Sequence, residues 1–135
     1  VVVDLRLTYD PLVIPNDLPQ DGAQVIFQGI VRPISKEKEV LRLEFEAYQP
    51  MAISELEIIA LDIRSKWPQV NKVLLHHRLG VVLAGEVAVI ACVTAPHRVE
   101  AFAGCEYLMN RLKETVPIWK KECYSDGHYW VSSTP

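Results

Sequence analysis

The stretch "VLRLEFEAYQPMAISELEIIALDIRSKW", Val40 to Trp67, decides how the chain is read, because its hydrophobic period changes partway along. From Val40 to Tyr48 apolar and polar residues alternate. Leu41, Leu43, Phe45 and Ala47 fall on one face, and Arg42, Glu44, Glu46 and Tyr48 on the other. A period of two predicts a half-buried strand. From Pro50 onward Ala52, Leu56, Ile59, Ile63 and Trp67 recur at spacings of three and four. That is the signature of an amphipathic helix, with Pro50 suited to its first turn and Pro68 ending it.

Working upstream, "VVVDLRLTY" (Val1–Tyr9) alternates and is β-branched, so it reads as a strand. The connector "DPLVIPNDLPQDGA" carries three prolines and a glycine and reads as irregular. "AQVIFQGIVR" (Ala23–Arg32) is apolar enough for a central strand ending near Gly29, and "PISKEKE" is a polar, mobile loop. Downstream, "KVLLHHRLG" and "EVAVIACVTA" are two strands joined by "GVVLAGE" as a hairpin. A second helix carries Val99, Phe102, Cys105, Met109, Leu112 and Val116 on one stripe, and "HYWVSS" after Gly127 is a last short strand. The order β-β-β-α-β-β-α-β lacks a regular βαβ alternation. The expected class is α+β, a mainly antiparallel sheet with two long helices packed on it, in one domain over residues 1–135.

Composition limits the function. Half the residues are hydrophobic and 23% are charged, an ordinary globular balance. With 14 Lys+Arg against 17 Asp+Glu the net charge is −3, which gives no general attraction to nucleic acid or an anionic membrane. Any anion site has to be local. Cys92, Cys105 and Cys123 show no CxxC spacing, which argues against a disulfide framework or a zinc knuckle. They read as small buried hydrophobes in a reducing setting. No apolar run is long enough for a membrane span and no signal-peptide pattern opens the chain, so a cytoplasmic location is expected. His76 and His77 are adjacent on a strand and point to opposite faces, so they cannot chelate one metal together. No phosphate-binding glycine loop, nucleophile elbow or HExxH motif is present.

What stands out is where the cations gather. The second helix opens on His97-Arg98, with Pro96 suited to its first position and the first backbone N–H groups free. Those donors, the dipole and the Arg98 guanidinium suit a phosphate or carboxylate; a capped helix with a surface arginine is the plainer reading. Between Arg111 and Lys121 stand four cations (Arg111, Lys113, Lys120 and Lys121) and one acid, Glu114. The intervening "VPIW" is apolar, and Pro117 turns the chain into extended form. A lysine beside such a segment, if desolvated, acquires a lowered pKa and can serve as base, acid or nucleophile; otherwise this is a solvated basic turn. "FQGIVR" adds Arg32 as another anion donor, with Gly29 permitting close approach of the backbone. Tyr48 and Trp119 can stack on a flat ligand or simply pack.

Taken in order and spacing, "FQGIVR", "LEFEAYQPMA", "HHRLG…GE", "APHRVEAF" and "LKETVPIWKKE…GHYWV" resemble the catalytic (large) subunit family of molybdopterin synthase, over roughly Ala23 to Val131. The resemblance implies an α/β-hammerhead fold and a homodimer at the core of a heterotetramer. It also implies a small ubiquitin-like sulfur-carrier partner, whose C-terminal Gly-Gly thiocarboxylate enters the active site. The implied substrate is cyclic pyranopterin monophosphate, which takes two sulfurs in succession to become the dithiolene of molybdopterin, with no metal and no cofactor needed. Carried over by position, Lys113 and Lys120 look like catalytic lysines. Arg32, His97 and Arg98 look like substrate-anion contacts, with Lys121 and Glu122 flanking the site. Two features depart from the family pattern. Pro33 stands where a polar residue is frequent, and the closing "SSTP" lacks an arginine that the family can place in a neighbouring protomer's site. The competing reading is a non-catalytic module that holds an anion or a partner's tail. Nucleic-acid binding is disfavoured by the negative net charge and the lack of an aromatic-basic stripe.

Overall fold

The computed structural model describes residues 2–131. In chain order the elements are β1 (Val2–Thr8), β2 (Ala23–Ile30), β3 (Ile34–Ser35), β4 (Lys38–Ala47), α1 (Gln49–Lys66) and β5 (Lys72–Arg78). They continue with β6 (Gly80–Leu83), β7 (Val87–Ala95), α2 (Arg98–Thr115), β8 (Ile118–Tyr124) and β9 (Gly127–Val131). The class is α+β, as expected, but the strands form two sheets rather than one. The first has the order β1-β5-β7-β2, and the second runs β3-β4-β8-β9 with β6 also on β4. Among the described residues β1–β5 is the one parallel pair.

The period change at Tyr48 is where the chain leaves the second sheet for α1. A proline sits in the helix's first turn, and the Trp67 N–H closes the other end on the Ile63 carbonyl. Leu56, Ile59 and Ile63 of α1 meet Val73 and Leu75 of β5, Ala91 and Val93 of β7, and Leu108 and Leu112 of α2 in one buried cluster. Each such aliphatic side chain contributes about 1.5–3 kcal/mol by leaving water. The opposite face of the first sheet is covered too. Leu74, Ile90 and Cys92 pack there under Leu12 and Leu18 of the proline-rich connector. Burial on both faces explains why β7 and the Val73–Leu75 part of β5 read as continuous apolar runs rather than alternating ones; the rest of β5 is buried but polar.

Several sequence expectations need correction. Leu41 is exposed, because a bulge between Val40 and Arg42 shifts the phase of β4 and turns Val40 inward instead. In α2, Val99 and Phe102 are 66% and 61% exposed, and the inward stripe is Ala101, Gly104, Cys105, Leu108 and Leu112. Small residues set that face. A Cβ on Gly104 would stand 3.0 Å from Val93 Cγ1 and 3.4 Å from Ile63 Cγ2, so the helix backbone seats directly on β7 and α1. Pro96 is not the first helical residue; His97 is the N-cap and α2 starts at Arg98. "PISKEKE" contains β3 and a tight turn, and "GVVL" of the expected hairpin connection is β6. Of the two readings after Pro117, the extended one holds and the solvated turn does not: Lys120 and Lys121 lie in β8, paired with β4. The last strand, β9, begins at Gly127, while Ser132, Ser133 and the closing "SSTP" lie outside the described residues.

Candidate functional site

Strand β8 brings the cations in. Its residues alternate, so Lys120, Glu122 and Tyr124 share one face, while Trp119, Lys121 and Cys123 share the other. On the first face Lys120 is 5% exposed and Glu122 6%. Lys120 Nζ lies 3.9 Å from Glu122 Oε2, and the Tyr124 hydroxyl donates to Glu122 Oε1 at 3.1 Å. Burial lowers the Lys120 pKa below the ordinary lysine value. Glu122 opposes that shift, and the nearby charges of Arg32, Lys113 and Lys36 add to it.

Those neighbours arrive from three directions. Lys113 ends α2, exposed in its last turn. Arg32 follows β2, past a register shift between Gly29 and Ile30, after which Ile30 pairs with Val87 and the Val31 N–H donates to the Glu86 carbonyl at 3.0 Å. Gly29 is needed there, since a Cβ would stand 2.6 Å from Val89 Cγ1. The close approach at this glycine is thus made by a side chain of the neighbouring strand. Lys36 sits at the tip of the β3–β4 hairpin, where both it (φ 53°) and Glu37 (φ 64°) adopt left-handed backbone without glycine. Each costs on the order of 1 kcal/mol. Sequence reasoning missed Lys36, because "SKEKE" has the composition of a solvated loop and nothing in it marks which of its exposed charges stands near Lys120.

Two adjoining recesses share Ile30, Val31, Arg32 and Leu43. The smaller, about 30 Å³, is lined by Lys120, Glu122 and Ser35. The larger, about 230 Å³, is an apolar cleft between the two sheets, with Phe27, Gly29, Phe45 and His77 in its wall. His77 is fully buried, donates Nδ1–H to the Arg78 carbonyl at 2.7 Å, and stands edge-on to Phe45 with ring centroids 4.9 Å apart. Burial depresses its pKa to about 4, so it is neutral near pH 7. A still larger cavity, about 670 Å³, lies on the back of the first sheet between Asp4, Arg6, His76 and the connector. Its size is not matched by chemistry. None of the residues singled out from the sequence as site residues lines it, and its buried imidazole, His76, is already paired to Asp4 at 2.9 Å.

Not every site residue chosen from the sequence meets in this pocket. Lys121 faces away, with Nζ 3.4 Å from Glu44 Oε1 and 5.4 Å from the Trp130 ring centre. Arg111 is paired with Glu114 on the helix surface. His97 and Arg98 are exposed at the far end of α2, fifteen residues before Lys113, a separation of about 22 Å along the helix axis. No thiol belongs to the pocket as a nucleophile. Cys92, Cys105 and Cys123 are free and buried, and burial raises all three, Cys105 to about 11. The arrangement can therefore bind an anion, stabilise negative charge that develops during a reaction and move a proton at Lys120. A nucleophile must arrive from elsewhere.

Comparison with known proteins gives this geometry a context. The family model described as MoaE protein matches residues 6–115. The chain is 44% identical over 132 residues to the molybdopterin synthase catalytic subunit of a Nostoc species, covering 93% of this chain and 80% of that one. It is 46% identical over 112 residues to the subunit of the same name from Taeniopygia guttata, covering 83% and 72%. Among solved structures, molybdopterin synthase from Staphylococcus aureus superposes with a TM-score of 0.85 at 37% identity, covering 93% of this chain and 94% of that one.

Proposed function

The chain belongs to the MoaE protein family, and from that premise we propose that the recess around Lys120 is the sulfur-transfer site of a molybdopterin synthase catalytic subunit. A small sulfur-carrier partner presents its C-terminal thiocarboxylate, and cyclic pyranopterin monophosphate receives the sulfur. The observation that carries this reading is a buried Lys120 and Arg32 lining one recess beside an apolar cleft, with Lys113 near enough for its charge to act on Lys120. The thiocarboxylate tail and the substrate phosphate are both anions, and both need fixed cations. The flat pterin suits the cleft between the sheets.

Chemically, attack by the thiocarboxylate sulfur forms a C–S bond on the pterin side chain and expels an oxygen, which needs a proton to leave as water; a second water then hydrolyses the resulting thioester, leaving the sulfur on the pterin and the carrier's tail as a carboxylate. A buried lysine with a lowered pKa surrenders a proton more readily than a solvated one, so Lys120 suits that donation. Lys113, exposed and held at a helix end, suits positioning of the anionic tail. Arg32, which stays charged throughout, offers a planar fork to the phosphate or the carboxyl group released from the partner. Thiol chemistry by the chain itself is not required, in keeping with its three raised cysteines.

His97 and Arg98 enter this scheme from a second copy. Strand β2 ends the first sheet, and Ile26, Phe27, Ile30 and Phe102 leave apolar surface along that edge. An edge strand is a template for pairing with another chain. Two β2 edges meeting antiparallel about a two-fold axis bring the Ala23 end of one copy, beside its Pro96–Arg98, to the Ile30–Arg32 end of the other. The arginine and histidine then face the partner's recess, where a phosphate would lie. Glu122 completes the β8 wall, while Lys121 stands on the strand's other face beside Glu44. A cytoplasmic setting fits an enzyme of this kind, and no helix among the described residues is long and apolar enough to cross a membrane.

The test is reconstitution. The protein is mixed with a thiocarboxylated small subunit and cyclic pyranopterin monophosphate, and dithiolene pterin is measured as its oxidised fluorescent derivative. Product from the wild type and a loss of at least about 100-fold in Lys113→Ala, with the small subunit still bound, is the expected result. A complex that forms but makes no product would favour the non-catalytic tail-binding module.

A further inference from the structure

Behind Lys120 and Glu122 stands a group the reaction scheme has not used. Tyr124 is 5% exposed, and its hydroxyl is spent on Glu122 Oε1. Its ring lies edge-on to Tyr129 with centroids 5.6 Å apart. Lys38 Nζ sits 5.7 Å from the Tyr124 ring centre and 5.6 Å from that of Tyr129, and is itself tied to Asp126 at 2.9 Å. Three elements, β4, β8 and β9, thus hold the phenol in place, and the phenol holds the carboxylate.

The consequence concerns the 3.9 Å between Glu122 Oε2 and Lys120 Nζ. A carboxylate and an ammonium buried side by side ordinarily close to about 2.7–2.9 Å. Here they stop short of hydrogen-bond range, while the hydroxyl bond on the opposite oxygen is made. We propose that Tyr124 is a positioning residue of the sulfur-transfer site: its O–H bond holds Glu122 back from Lys120 and leaves the ammonium donors open to the incoming anion. This rests on the reading of the recess given above. Without that hydroxyl the carboxylate turns onto Lys120, occupies its donors and favours its charged form.

Lys120 is faced by Glu122 from β8, Arg32 from the end of β2, Lys113 from α2 and Lys36 from the β3–β4 turn. Of these, Glu122 is the one anion, so its distance is the lever by which Lys120 is tuned. The sequence pattern is Lys-x-Glu-x-Tyr on one strand face, a spacing that only a strand makes coherent.

The experiment compares Tyr124→Phe, Glu122→Gln and the double variant with the wild type. In the free protein, lysines are ¹³C-methylated and the Lys120 resonance, assigned by its loss in Lys120→Arg, is titrated by NMR. The midpoint is expected to move to higher pH in Tyr124→Phe, and site-specific 3-fluorotyrosine at 124, a stronger donor, is expected to move it lower. In the reconstituted synthase Tyr124→Phe is expected to lower kcat about 10-fold, with KM for the pterin changed less than about twofold. Its pH–rate limb should follow the Lys120 midpoint. In the Glu122→Gln background the same change is expected to do nothing more, since the tyrosine acts through that carboxylate. An unmoved Lys120 midpoint in both Tyr124 variants, or additive losses in the double variant, overturns the proposal. If the wild type makes no product, the reading of the recess falls while the NMR arm still decides what Tyr124 does to Lys120.

Discussion

Replacing His77 by Phe should remove most of the protein's sensitivity to mild acid. The imidazole is 1% exposed between the two sheets, and burial holds its pKa near 4, against 6.5 in the unfolded chain. Between those two values the unfolded state binds a proton that the native state refuses, so native stability rises with pH across that window and falls as pH drops through it. At ~1.36 kcal/mol per pH unit the full window is worth about 3 kcal/mol, of which about 2.5 kcal/mol is lost by pH 4.5. That is a large share of the stability of a domain this size. Phe fills nearly the same space against Phe45 and carries no titratable group; it gives up the Nδ1 hydrogen bond to Arg78, a cost that does not change with pH. The assay is urea unfolding of wild type and His77→Phe at pH 7.5 and pH 4.5. The wild type should lose about 2.5 kcal/mol more than the variant between the two. Glu44 and Asp126, whose carboxyls are held below their ordinary values by Arg42 and Lys38, respond in both proteins and cancel in the comparison. Equal losses in the two proteins would refute the reasoning.

Gly29→Ala should destabilise the fold by about 1–3 kcal/mol, because its Cβ meets Val89 Cγ1 at 2.6 Å across the β2–β7 ladder; a thermal midpoint equal to the wild type would show that the bulge relaxes freely. Arg98→Ala and Lys113→Ala, each inactive alone, should recover about a quarter of wild-type activity when unfolded together and refolded as a mixture, since half the dimers are hybrids with one intact site. No recovery would mean that both residues serve the same protomer's site.

The fold class was legible wherever a period was clean. The switch at Tyr48 separates β4 from α1, and β7 and the Val73–Leu75 part of β5 are readable as strand from their apolar continuity. The face of α2 is not legible from apolar size, since Ala101 and Gly104 make the contact by being too small to hold the helix off. Strand β8 was hidden for a different reason. "IWKKECY" puts its lysines next to each other, which reads as a charged turn until pairing with β4 sends Lys120 inward and Lys121 outward. Hence the cations of the pocket, and a desolvated lysine with a lowered pKa as one of two readings, are legible in the sequence, while which lysine is buried and the tyrosine behind Glu122 depend on the pairing. The roughly 22 Å between Arg98 and Lys113 follows from helix geometry alone, yet it acquires meaning only once β2 is seen to end its sheet.

Strand β6 has a bearing on how the molecule breathes. It is drawn from the chain between β5 and β7, neighbours in the first sheet, but pairs along Arg42–Phe45 of β4 in the second. A stitch of this kind, passed from one fabric into the other and back, prevents the two sheets from peeling apart while either stays intact. The cleft of Phe27, Phe45 and His77 lies on that seam. Parting its walls would break the β4–β6 ladder, whereas Arg32 and the end of β2 line the cleft without belonging to that ladder. Amide hydrogens on both sides of the seam are therefore expected to share one opening event in hydrogen exchange.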